Sequence, residues 1–473
     1  MKQDHIIQKI FVEITVNNKA KALSIKDDIN SFLSIDVFPE IENHIKALEY
    51  KLAGHTLQIP RLELNVDVKS SALNIELKDK IAELFKEELA EITKPLETSS
   101  QETENDAKVY LIDDQEKIIK AFLHFLEKGT MPWWNSQSNS MAFLESTVFD
   151  RIISSGSFQK SILPALSKEN VRNRIINQLS DEHIAQLCLA ILKNKELNIN
   201  LETDTIRHLS KLNHTDRIAI WRLVFNVISE CLNTSNNHLR EYLLQEISTK
   251  KQISLSTTKS NHQNRKTLVK IFPFISENEI SESLKTNTAD QPEHVKTVIE
   301  SIQESVIQDE GQYIQNAGLI LIHPFIRTLF EHCELIDPKT QQLTDPELCA
   351  HLLHYIATGK TNAPEYDMIF EKFLCNIPMH QPINRHIKLS RKHKTQAKNV
   401  IESVQHNWAP MKKSSAALLQ NEFFQRPGKL VITDADYTLT VERKTQDILL
   451  EKLSWGIGLV KLPWHKKFIF VNW

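Results

Sequence analysis

The residues best suited to chemistry are His351 and His354, three apart in "TDPELCAHLLHYIATG", with His323, His332 and Cys349 nearby in sequence. Histidines at i and i+3 share one face of a helix, as a metal pair would require. His354, however, lies in an apolar stripe with Leu348, Leu352, Tyr355 and Ile356, and no acidic residue separates the pair as a zincin needs. The spacing favours a structural pair over a metal centre, and no metal ligands are assigned.

Two other clusters could bind rather than catalyse. The run "RHIKLSRKHKTQAK" is basic, but it has no interleaved aromatics for base stacking and reads as a solvated loop entering a helix. Trp133 and Trp134 in "GTMPWWNS" are either a partner-binding anchor or a seal over the helical core. The phosphate-loop, dinucleotide, nucleophile-elbow, zincin and C-x-x-C patterns are all missing. No catalytic or cofactor-binding residue is therefore predicted.

The 473 residues are 41% hydrophobic and 25% charged, with a net charge of −3, which suits a multidomain globular chain without a nucleic-acid or membrane partner. The start lacks the features of a signal peptide, and no run of eighteen apolar residues occurs. The five cysteines, Cys188, Cys231, Cys333, Cys349 and Cys375, are widely spaced in apolar contexts and read as reduced buried thiols of a cytoplasmic protein.

The elements that would position these residues are mainly helical, with α+β ends. Residues 5–16 read as a strand, "KALSIKDDINSFLS" and "PEIENHIKALEYKL" as helices, and Leu62, Leu64, Val66 and Val68 as the apolar face of a second strand. Pro39 suits a first turn, and Gly54 lies where the second helix should stop. Helical spacing resumes over 75–93, so 1–95 forms a small α+β unit followed by a polar linker over 96–110.

Residues 111–310 read as a multi-helix region, with Gly129 as a helix cap and an exposed loop at "KKQISLSTTKSNHQNRK". Residues 311–473 form a C-terminal domain, helical first and β-rich over 428–473. Thr344 and Glu347 fit a capping box, and Gly359 closes that helix. A hairpin around Asp434 and Asp436, then strands in "GIGLVKL" and "KFIFVNW", make a small antiparallel sheet that buries the tail to Trp473.

Taken together, "FLHFLEKGTMPWW", "NAGLILIHPFIRTLFEHCEL", "HLLHYIATGKTNAPEYDMIFEKFLCNIP" and "LSWGIGLVKLPW" resemble the tape measure protein family of contractile injection systems. The start, "HIIQKIFVEITV … LQIPRLELNVDV", is similar to that family's N-terminal pattern. The resemblance implies a non-enzymatic component, made in the cytoplasm and retained or not in the particle, that helps set tube and sheath length. Its implied partners are tube, baseplate or tip proteins; the alternatives are an assembly or cargo-loading chaperone of the same particle and, last in order, a metal-dependent enzyme. The residues it marks as fold or partner contacts are Trp133, Trp134, His323, Pro324, Pro364, Tyr366, Trp455, Gly456, Gly458, Pro463 and Trp464. A tape working by reach needs length: a helix of 473 residues would span roughly 710 Å, and 111–310 end to end on the order of 300 Å. No sustained heptad pattern supports such a rod, and a compact chain is the other reading.

Overall fold

A computed structural model describes residues 5–16, 18–47, 55–68, 73, 75–98, 110–135, 143–193, 198–233, 238–249, 259–285 and 311–473. The chain divides into two compact units, 1–120 and 121–473.

In the first unit, α1 (Lys19–Phe32) is capped by Asn18, whose side chain accepts from the Ala20 amide. A π-helical segment, Leu33–Val37, joins it to α2 (Phe38–Lys46), with Pro39 in the first turn as the sequence predicts. Gly54 lies outside the described residues. The apolar stripe of α3 (Ile75–Thr98) packs Phe85 and Leu89 against Phe32, Val37 and Ile41. β1 (His55–Gln58) pairs antiparallel with β2 (Tyr110–Asp113), which leads into α4 (Asp114–Lys128).

The expected strand over 5–16 is not formed. Those residues join no ladder, and Ile7, Ile10, Phe11, Val12 and Ile14 are exposed. Apolar alternation sets which side chains could face a core, but a strand also needs a neighbour for its amides. The same limit applies to 61–68. Leu62, Leu64, Val66 and Val68 are half-buried while Glu63, Asn65 and Asp67 are exposed, yet no ladder forms there.

The second unit begins with a helical layer: α5 (Ser146–Ile153), α6 (Phe158–Leu166), α7 (Glu169–Gln178), α8 (Asp181–Leu192), α9 (Thr203–Leu209), α10 (His214–Asn233), α11 (Leu239–Thr249), α12 (Lys259–Ile271) and α13 (Glu277–Lys285). Its aromatic centre sets Phe122 against Phe143 and Phe149 in edge-to-face pairs at 5.8 and 6.1 Å. The loop expected over 250–266 is helical from Lys259 onward, because Leu268 and Ile271 bury one face of α12.

The C-terminal part packs α14 (His323–His332), α15 (Pro346–Thr358), α16 (Ile369–Leu374), α17 (Arg391–Asn407) and α18 (Ala416–Leu419) against a sheet of β3 (Gln312–Ile314), β4 (Gly428–Ile432), β5 (Tyr437–Val441), β6 (Leu459–Val460) and β7 (Ile469–Asn472). The strand order is β3-β4-β5-β7-β6, antiparallel at each pairing except β5–β7, which is parallel. Leu430, Leu439, Val441, Val460, Ile469 and Val471 turn inward onto the helices. The α15 cap is one residue later than expected: Asp345, not Thr344, accepts from the Leu348 amide, and Gly359 closes the helix at φ 70°.

Indole N–H groups pin the tail. Trp455 Nε1 donates to the Leu321 carbonyl at 3.0 Å, Trp464 Nε1 to Leu374 at 2.7 Å, and Trp473 Nε1 to Asp447 Oδ2 at 3.0 Å. Arg426, fully buried, ties the same region together by donating to Asp447 Oδ1 at 2.8 Å and to the Glu442 carbonyl at 3.0 Å. Trp464 also rests its ring 5.5 Å from that of Phe330. Trp464→Ala is expected to destabilise the second unit by about 3–5 kcal/mol, read as a lowered midpoint in thermal unfolding; an unchanged midpoint would contradict the burial.

Candidate functional site

The densest concentration of charge lies inside the second unit. Arg174 comes from α7, Lys372 from α16, and Glu365 from a 3-10 turn, Glu365–Asp367, that Pro364 starts; all three side chains are fully buried. Arg174 Nε donates to Glu365 Oε2 at 3.0 Å, and Lys372 Nζ donates to Glu365 Oε1 at 2.6 Å. One carboxylate thus answers two cations, and backbone carbonyls take up the remaining donors. Arg174 reaches Leu126 at 2.5 Å and His380 at 2.6 Å, while Lys372 reaches Met379 at 2.9 Å and Gln381 at 2.7 Å. Burial pulls the Lys372 pKa down, and the Glu365 carboxylate opposes that shift.

Gln178, one turn beyond Arg174, accepts from the Glu365 amide at 2.9 Å and donates to the Ile383 carbonyl at 2.8 Å. Gly129 makes room for the pair. It ends α4 at φ 80°, and a Cβ there would lie 2.6 Å from Glu365 Oε1 and 2.9 Å from Arg174 Nη2. The stretches "FLHFLEKGTMPWW" and "NAPEYDMIFEKF", far apart in sequence, therefore meet at one ion cluster.

A second buried network adjoins it through α16. His354 Nδ1 donates to Glu371 Oε1 at 2.8 Å, and Asn316 Nδ2 donates to the same oxygen at 2.8 Å. His351 turns elsewhere, giving its Nε2–H to the Asn384 carbonyl at 2.8 Å. The two histidines therefore do not converge, and among the described residues no group of three or more His, Cys, Asp or Glu side chains is placed to hold a metal ion. The five cysteines are free and buried.

The residues singled out in the sequence fall into three places. Trp133 and Trp134 sit half-buried in a 3-10 turn, Trp133–Asn135. Tyr366 is buried, with its ring edge-on to Phe125 at 5.1 Å. His323, Trp455 and Gly456 meet where His323 Nε2 donates to the Gly456 carbonyl at 3.0 Å and Phe325 stacks edge-on to Trp455 at 5.4 Å. Gly458 accepts from the Val471 amide, Trp464 is buried, and Pro324 and Pro463 are exposed. The basic run enters α17 as expected, Ser390 capping it and Lys392 paired with Glu334 at 2.6 Å.

A family model described as contractile injection system tape measure protein matches residues 4–473. The chain belongs to the contractile injection system tape measure protein family. No match is found among curated proteins or among solved structures. The buried cluster ties α7 to α16 and to the Glu365–Asp367 turn within the second unit. Among the described residues no helix is long and apolar enough to cross a membrane.

Arg174, Gln178, Glu365 and Lys372 were not singled out from the sequence. A signal was there, since Arg174 and Gln178 occupy the same helical stripe as Val171 and Ile175, where apolar residues are the rule.

Two outcomes follow from this geometry. Gly129→Ala combines a left-handed backbone with a clash against the ion pair and is expected to cost about 2 kcal/mol or more, whereas Gly456→Ala, with nothing within 4 Å, should change stability by less than about 0.5 kcal/mol; chemical denaturation compares them. Burial also pushes the Asp367 carboxyl up to about 6 and holds the His351 imidazole down at about 4. Asp367 then binds a proton on folding between about 4 and 6, so its stabilising contribution is present at low pH and lost as pH rises through 6. His351 acts with the opposite sign, its contribution falling as pH drops from about 6.5 to 4. Asp367→Asn is expected to raise the free energy of unfolding at pH 7.5 by about 2 kcal/mol and to leave it nearly unchanged at pH 4, read by chemical denaturation; equal effects at both would contradict the assignment.

Proposed function

We propose that this chain is a non-enzymatic assembly protein that helps set tube and sheath length in a contractile injection particle, and that it works as a folded body rather than as an extended tape. Family membership supports the particle role. The observation that carries the second half is the tie from α7 to Glu365 and Lys372, which binds the helical layer to the C-terminal part. Drawing the helices out end to end would part these partners and expose the apolar surface packed around them; the ion cluster adds little net stability of its own, but it disfavours any packing in which one of its charges stays buried without the others. The longest helix described between 140 and 310, α10, has 20 residues and spans about 30 Å, far below the roughly 300 Å of the extended region.

The same packing also suits an assembly or cargo-loading chaperone, and particle measurements separate the two. Electron micrographs would be taken of particles made without the chain, and of particles made with a chain carrying a helical insert of about 30 residues between 286 and 310. The reading predicts broadly distributed lengths without the chain and an unchanged mean with the insert. A mean increased by about 45 Å with the insert would establish measurement by reach. Uniform normal lengths without the chain would remove the length-setting role and leave the chaperone.

A further inference from the structure

Residues 5–16 carry the alternation of a strand and join no ladder, yet they present large apolar side chains to solvent: Phe11 is 82% exposed and Ile7 53%. A pleat would set the odd-numbered residues on one side, with Lys9 and Glu13 flanking Phe11. The even-numbered residues would take the other side, where Gln8 is the only side chain that is not apolar. What the segment lacks among the described residues is a strand beside it.

The charges choose that neighbour. Lys9 and Glu13 are the only Lys, Arg, Asp or Glu residues in 5–16, both are exposed, and they stand two positions either side of Phe11. A second copy laid antiparallel about a two-fold axis through Phe11 therefore sets Lys9 of each copy opposite Glu13 of the other. The same register puts Phe11 on Phe11, Ile10 on Val12, Ile7 on Thr15 and Gln8 on Ile14. Two-fold registers centred on Ile10 or Val12 leave both charges against uncharged residues, and a parallel copy in register brings Lys9 to Lys9 and Glu13 to Glu13.

Within the first unit the other strand-like stretch without a ladder is 61–68. Its charges are Arg61, Glu63 and Asp67, and Arg61 already pairs with Glu63. Antiparallel pairing of Lys9 with Glu63 leaves Glu13 facing Ile59, and pairing of Lys9 with Asp67 drives Glu13 onto Glu63. A parallel register with Lys9 beside Glu63 drives Glu13 onto Asp67, and setting Glu13 against Arg61 leaves Lys9 facing Asn65 or Leu57. No register over 61–68 meets both charges; the two-fold pairing meets both.

We propose that residues 5–16 form a two-stranded antiparallel ribbon with the same segment of a second copy, in the register centred on Phe11, so that the chain dimerises through its first unit. The inference does not depend on the length-setting role, and either can fail without the other.

Sedimentation of the full chain over a concentration series should show a monomer–dimer equilibrium, and the amides of 5–16 should exchange more slowly as the dimer fills. Lys9→Glu, Glu13→Lys and Phe11→Ser should each weaken the dimer roughly tenfold or more, because each alters contacts on both sides of the axis. Mixing the Lys9→Glu variant with the Glu13→Lys variant should restore a dimer, since unlike charges then stand opposite at both contacts. These side chains are exposed, so circular dichroism and the unfolding midpoint of the dilute variants should match those of the dilute parent, which separates lost pairing from lost folding. A chain that stays monomeric throughout the series would overturn the proposal, whether 5–16 then exchanges freely or is protected by pairing within its own chain. So would a dimer indifferent to these substitutions, or one that the mixture fails to restore.

Discussion

A single buried carboxylate shared by two cations is the constraint on which the second unit depends. Glu365 receives Arg174 from the helical layer and Lys372 from α16, with no solvent to screen any of the three. Desolvating such charges is costly unless geometry and additional hydrogen bonds compensate, and here four backbone carbonyls do so. Those carbonyls belong to the end of α4 and to the loop after α16, so the cluster forms only when three regions of chain arrive together. An arrangement of this kind adds little as a source of raw stability. It penalises any packing that separates the regions, and so selects one relation between the helical layer and the C-terminal part.

The remaining architecture follows the same pattern of polar groups fixing apolar surfaces. Gln178 extends the tie along α7, and the Arg385 amide donates to the Asn177 carbonyl in the same contact. At the opposite end of the C-terminal part, Arg426 and the indole N–H groups of Trp455, Trp464 and Trp473 each satisfy a particular carbonyl or carboxylate. The tail is thereby locked in register over the helices.

Much of this could be read in the residues, and the misses share a cause. Local signals located α4, α15 and the β4–β5 hairpin: the cap glycines Gly129 and Gly359 mark the two helix ends, and the alternation around Asp434 and Asp436 marks the hairpin. Strand pairing is not local. Residues 5–16 carry strand-like residues without a ladder partner, whereas β3, three residues long, was overlooked although it pairs with β4. The ion cluster is the extreme case, since Arg174 and Glu365 are separated by 191 positions and nothing near either residue names the other. Gly129 was recognised as a helix cap, but its second role beneath the ion pair needs the tertiary contact to be seen. The tail expected to be buried is so only in part: Trp464 is buried and Trp455 and Trp473 are half-buried, while Leu459, Phe468 and Phe470 are exposed, because alternate residues of a strand face opposite sides of the sheet.

The central claim is that the helical layer and the C-terminal part open as one body because of the Glu365 cluster. Hydrogen exchange followed by mass spectrometry across a denaturant series tests it most directly, by comparing peptides from α7 and α8 with peptides from α15 and α16. The account predicts that both sets lose protection at the same denaturant concentration with the same dependence on it, and that Glu365→Gln separates them. Loss of protection in α7 and α8 well before α15 and α16 in the unaltered chain would contradict it.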